Sequence, residues 1–120
     1  MTNREIDVLV AEKVMGFGVV THGGGYYDLM KTEFFKDVGY NLATGPLPNY
    51  STSIVAAWEI VEKLREKFCV DILNNHKHKG VYVELREFIA GPVDFKHYAD
   101  TAPMAIAKAS LKAVGHEFDG

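Results

Sequence analysis

From Gly80 to Phe88 the chain alternates apolar and polar side chains with a period of two, Val81, Val83 and Leu85 against Tyr82, Glu84 and Arg86. Successive side chains leave a strand on opposite sides, so this pattern belongs to a strand with one covered and one solvated face. It demands a sheet and an apolar layer to cover it. Cys69 to Leu73 reads as a partner strand, with Asn74 to Gly80 as the polar turn between the two. After the break at Gly91-Pro92, Val93, Phe95 and His97 alternate with Asp94 and Lys96 in a third strand. An antiparallel meander is the simplest arrangement.

Three helical segments supply the cover. The first runs from about Asn3 to Met15, with Thr2 as N-cap, Glu5 as the reciprocal half of a capping box, and Ile6, Leu9, Val10 and Val14 on its apolar side before Gly16. The second starts at Ser51-Thr52-Ser53 and sets Ile54, Trp58, Val61, Leu64 and Phe68 on one stripe, opposite Glu59, Glu62, Lys63 and Arg65. The last has Asp100 or Thr101 as cap, Pro103 in its first turn, Met104, Ala107, Leu111 and Val114 as its stripe, and Gly115 just beyond. The expected fold is α+β, a small antiparallel sheet with three helices packed around it in the manner of an α/β/α sandwich. At 120 residues without a dividing linker, the chain is expected to form one ligand-binding domain, 1–120.

Between Phe17 and Tyr50 lies a different kind of sequence, Gly23-Gly24-Gly25, Gly39, Gly45, Pro46 and Pro48 interleaved with Tyr26, Tyr27, Phe34, Phe35 and Tyr40. Gly18 to His22 and Phe34 to Leu42 carry strand-forming residues. Long glycine-rich connections in small domains more often serve function than idle, which makes this the first region to search for a site.

Charge and composition narrow the function classes. With 48% hydrophobic and 24% charged residues the chain has enough apolar surface to fold, and a net charge of −3 gives no basic footprint for duplex nucleic acid. Cys69 is the lone cysteine, and the polar start Thr2-Asn3-Arg4-Glu5 predicts no signal peptide, so the expected location is the cytoplasm. Glu12, Glu59, Glu62 and Asp71 interrupt every apolar stretch short of the roughly 20 residues that span a bilayer, so no membrane partner is expected.

Candidate chemistry is sparse. His76 and His78 sit two apart, but flanking Lys77 and Lys79 repel a cation and no further ligands accompany them, so no metal is assigned. Cys69 reads as a small core residue rather than a nucleophile. The glycine run lacks the Gly-Lys-Ser/Thr of a phosphate loop, although His22 beside it is suited to meeting a phosphate or to acid–base work. Tyr82, Glu84 and Arg86 share one sheet face and offer a stacking surface, a hydroxyl acceptor and a phosphate donor, a set that suits a nucleotide; the same set also suits cross-strand pairing on an exposed sheet.

Three blocks occur in order: Leu9-Val10-Ala11-Glu12-Lys13-Val14-Met15-Gly16, then Asn49-Tyr50-Ser51-Thr52-Ser53-Ile54 with Ala56-Ala57-Trp58-Glu59, then Thr101-Ala102-Pro103-Met104-Ala105-Ile106 with Lys108-Ala109. Together they resemble the phage ABA-sandwich domain family, which includes phage proteins that counter the Thoeris immune system by sequestering its signal molecule. The resemblance implies a non-enzymatic sponge, a homo-oligomer built from dimers, that binds glycocyclic ADP-ribose signals or cyclic oligonucleotides in the cytoplasm of an infected host cell and needs no cofactor. It also implies that Phe17 and Lys108 face the ligand. Relatives more often carry Trp and Arg there, so Phe17 would still stack while Lys108 would offer a point charge instead of a fork.

The leading expectation is therefore a cyclic nucleotide-derived messenger held by Phe17, Tyr82, Glu84, Arg86, Thr101 and Lys108, with the loop around His22 closing over it. Two alternatives stand beside it. One is an enzyme cleaving such a signal with His22 or His97 as acid–base and Glu84 as partner; the other is a structural or regulatory phage domain that binds protein through the loop tyrosines.

Overall fold

A computed structural model describes residues 1–21, 27–30, 43–75 and 80–116. The expected strand at Phe34 to Leu42, the glycine run, His22 and the histidines of the hairpin turn lie outside the described residues.

Helix α1 spans Asn3–Leu9 and continues as a wide π-helical turn over Val10–Val14. Its start is the capping box read from the sequence: the Glu5 amide donates to the Thr2 hydroxyl at 3.2 Å, and the Thr2 amide donates to the Glu5 carboxylate at 3.1 Å. The Met15 amide reaches Val10 and that of Phe17 reaches Ala11, after which Gly16, at φ 79°, turns the chain out of the helix.

Strands β1 (Gly18–Thr21), β2 (Tyr27–Met30) and β3 (Ala43–Pro46) then form an antiparallel sheet in the order β1-β2-β3. The sequence marks the first of these strands and misses the other two, which lie among glycines and prolines that weaken any strand signal.

Helix α2 (Ile54–Leu64) starts where the three hydroxyl residues predict, with the Ser53 hydroxyl accepting from the Ala56 amide. Its buried side differs from the expected stripe. Ala57, Ile60, Val61 and Leu64 go inside, whereas Ile54 and Trp58 are half exposed. Helix α2 lies against helix α3 (Ala102–Ala113), and small residues are buried on both, Ala57 on one and Ala105 and Ala109 on the other, as close helix packing requires. A stripe drawn through the largest side chains points away from such a seam.

Strands β4 (Cys69–Asn75), β5 (Gly80–Arg86) and β6 (Phe95–Ala99) make the expected antiparallel meander, with Ile72 opposite Val83 and Val83 opposite His97. Helix α3 lies across β5 and β6, α2 reaches β4, and α1 packs on α3. Val81, Val83, Leu85, His97 and Ala99 are buried beneath them. Being wedged between sheet and helices, α3 is buried well beyond the single stripe expected: Ala105, Ile106, Ala109 and Ser110 join Ala107 and Leu111, while Val114 is left half exposed past the helix end.

A buried lock sets the relative positions of the helix starts. The Asp7 carboxylate, almost fully buried, accepts from Arg4 at 2.9 Å and from the Ser51 amide at 2.7 Å. Arg4 also donates to the carbonyl of Leu47 and the side chain of Asn49, and the Ser51 hydroxyl donates to the Asn3 carbonyl at 3.2 Å. The segment leading into α2 is thereby fastened to the first turn of α1. Tyr50, fully buried beside it, has its phenol pushed up to about 12 by burial and by the nearby Glu59 and Asp7 carboxylates.

Candidate functional site

The lock fastens the approach to α2 against the start of α1, and these two, with the end of β6 and helix α3, border a cavity of about 490 Å³. Asn3 comes from the start of α1, Ser51 and Thr52 from the approach to α2, Tyr98 to Asp100 from the end of β6, and Thr101, Met104 and Lys108 from α3. A volume of this order is within the ~300–1,000 Å³ range of small-molecule sites.

Helix α3 enters this cavity by its N-terminal end. Thr101 is its N-cap in an extended conformation, and its hydroxyl makes no capping bond. Pro103 has no amide to offer, so the N–H groups of this first turn are those of Ala102 and Met104, and the aligned helix dipoles favour negative charge at that end. Lys108, two turns along the same helix, brings a formal positive charge to the same wall, and Asp100 brings a negative one. A ligand that carries both phosphate and hydroxyl groups matches this mixture of donors and acceptors.

Tyr98 joins the cavity to the open face of the sheet. Its ring lies 4.9 Å from that of Tyr82 at an interplanar angle of 50°, and the Lys96 ammonium sits 4.7 Å above the Tyr82 ring. Gly80, two residues before Tyr82 on β5, leaves no room for a side chain: a Cβ there would overlap the Tyr98 ring. The pair is therefore a preformed aromatic surface at the cavity rim.

The candidates named from the sequence separate in space. Thr101 and Lys108 share the cavity, and Tyr82 touches it through Tyr98. Glu84 and Arg86 project from the same sheet face but run away from it along β5. There the Arg86 guanidinium donates to Asp71 at 2.9 Å and to Glu84 at 3.4 Å, while Lys96 lies 3.9 Å from Glu84. Phe17 lies beyond the other end of α1 and packs partly buried on the core. From Asn3 to Val14 the helical rise alone is roughly 17 Å, so within one chain Phe17 does not reach the cavity.

His97 faces the core, across the sheet from Glu84. Burial holds its imidazole down at about 4, with smaller contributions from Lys112 and Lys108. Among the described residues no group of His, Cys, Asp and Glu is gathered to hold a metal ion, and no helix is long and apolar enough to cross a membrane.

Sequence reasoning missed Asn3, Ser51, Thr52, Tyr98, Asp100 and Met104. The hydroxyls at 51 and 52 were legible as helix-start residues, but nothing local tells that this start meets that of α3.

The sequence pattern of the phage ABA sandwich domain family matches residues 8–111. Among solved structures the chain is similar to the crystal structure of a phage protein from Bacillus cereus ATCC 14579, at 29% sequence identity and a TM-score of 0.68, over 99% of this chain and 93% of that one. No curated protein matches the chain.

Proposed function

The chain belongs to the phage ABA sandwich domain family, and on that premise we propose that it binds and sequesters a cyclic nucleotide-derived signal without degrading it. The ligand class is glycocyclic ADP-ribose, with cyclic oligonucleotides of host immunity as the neighbouring class, and the setting is the cytoplasm of an infected cell. The protein acts as a homo-oligomer built from dimers and requires no cofactor.

The observation that carries this reading is the cavity at the start of α3. It is of ligand size, it combines the α3 amide end with Lys108, and its rim is the Tyr98–Tyr82 pair. Phosphate at a helix N-terminus beside a lysine and a base on an aromatic face are the recognised physical uses of such parts. The separation of His97 from Glu84, on opposite faces of the sheet, favours binding over cleavage by that pair.

Calorimetry with a panel of cyclic ADP-ribose isomers and cyclic oligonucleotides, followed by denaturation and identification of what is released, tests the reading. Tight binding with intact release is expected. Lys108→Glu is expected to weaken it by roughly 100-fold, about 2.7 kcal/mol, while Lys108→Arg keeps affinity within about tenfold. A converted ligand would identify an enzyme, and absence of binding across the panel would leave a protein-interaction domain.

A further inference from the structure

The groups that line the α3 cavity follow one another in an order along the chain. β6 points Tyr98 outward and Ala99 into the core, and Asp100, one residue past the strand, is exposed again, so Tyr98 and Asp100 leave the chain on the same side. Both line the cavity, two residues of extended chain apart, roughly 7 Å at the rise of a strand. Thr101 and the amide end of α3 come next, with Lys108 two turns further on.

This order matches the parts of a nucleotide. An aromatic face for the base stands at Tyr98 and Tyr82, then Asp100, then the donors for a phosphate. Between base and phosphate a nucleotide carries its sugar. Asp100 is the one carboxylate among the lining residues, and among the described residues no hydrogen bond or ion pair engages its side chain. An ionised carboxylate accepts and cannot donate, so it repels a phosphate and is satisfied by a hydroxyl. It also offsets most of the positive charge of the site, which comes from Lys108 and from the helix end, the latter worth roughly half a charge. Asp100 therefore weakens the hold on a phosphate unless the same ligand gives it a hydrogen bond.

We infer that Asp100 accepts a hydrogen bond from a ribose hydroxyl and is the residue by which the cavity tells ribonucleotide from deoxyribonucleotide ligands. A ligand that lacks the hydroxyl covers the carboxylate without giving it a donor, and the unpaired acceptor is the source of the discrimination. The inference rests on the nucleotide reading of the cavity and adds its sugar specificity. A carboxylate at this end of α3 is also favoured by the helix dipole, and the two roles differ in what its removal does to a deoxyribose ligand.

Calorimetry with the cyclic ADP-ribose isomers and cyclic di-AMP, each beside its deoxyribose counterpart, tests it. In the wild-type protein the ribose form is expected to bind at least about tenfold tighter. Asp100→Ala is expected to weaken the ribose form about tenfold and to leave the deoxyribose form as tight or tighter, which brings the two within about threefold. Asp100→Asn keeps an acceptor oxygen without the charge and retains part of the preference. Asp100 is exposed, so both variants are expected to keep the wild-type far-UV spectrum. Should Asp100→Ala fail to fold, the wild-type preference and Asp100→Asn carry the test. A loss shared equally by both sugar forms marks Asp100 as a helix-end residue only and overturns the inference. Binding without a sugar preference in the wild-type protein overturns the inference alone, whereas no binding of any of these ligands overturns the nucleotide reading with it.

Discussion

On the helix-covered face of the β4-β5-β6 sheet, His97 sits among Val83, Ala99 and the core side of α3, and burial holds it neutral to about pH 4. On the open face Asp71, Glu84, Arg86 and Lys96 are paired with one another, Arg86 with Asp71 and Lys96 with Glu84 across strands and Arg86 with Glu84 along β5. The same sheet thus buries one ionisable side chain among apolar neighbours on one side and carries a network of ion pairs on the other. The candidate cavity lies at the border between the faces, where β6 ends, α3 begins, and Lys108 and the tyrosine pair come together.

The contrast is broken most directly by truncating one apolar residue on each face. Leu85 is fully buried, and Leu85→Ala is expected to cost about 3 kcal/mol, lowering the urea midpoint with little change in slope. Leu73, on the open face and 45% exposed, is expected to cost under ~1 kcal/mol when changed to Ala. Equal costs would mean that a second layer covers the open face in solution.

The next effect is the pH dependence of the covered face. His97 has its folded-state value lowered from 6.5 to about 4, so the unfolded chain takes up a proton first as the pH falls. Its contribution is complete above pH 6.5 and is lost progressively towards pH 4, on the order of 2 kcal/mol by pH 5. His97→Gln is expected to flatten the difference in stability between pH 7 and pH 5, measured by urea unfolding. An unchanged slope would show that His97 charges as easily in the folded protein as in the unfolded chain.

What the sequence makes legible follows from the range of the interactions involved. The alternation at Val81 to Arg86 and the Thr2–Glu5 capping box are set by neighbours a few residues away, and both are read correctly. The burial of α2 depends on which residues α3 offers it, so Ile54 and Trp58 were expected inside and lie half exposed. The cavity is less legible still. Thr101 and Lys108 are two turns apart on one helix, the first named as a cap candidate and the second from the family resemblance, but Asn3, Ser51 and Tyr98 join them only through the Asp7 lock and the sheet register, which no local pattern encodes. Phe17, picked by the same resemblance, lies a helix length away within the chain.

The smallest effect sharpens the comparison by asking whether the open face belongs to the site. Arg86 is partly exposed, Asp71 is exposed and Glu84 is partly buried, so solvent screens the Asp71 pair most and Arg86→Gln is expected to cost about 1 kcal/mol, less in high salt. Along β5, Arg86 is four residues from Tyr82, roughly 13 Å at the rise of a strand, and both its donor groups are engaged by Asp71 and Glu84. A ligand seated at the start of α3 and stacked on the tyrosine pair has no call on it, so affinity in the same calorimetric titration is expected to change by less than about threefold. Lys108→Glu, by contrast, reverses the charge at the cavity wall. If Arg86→Gln weakens binding as much as Lys108→Glu does, the ligand extends over the open face, and the charge network there is a set of contacts opened by the ligand rather than a closed surface lattice.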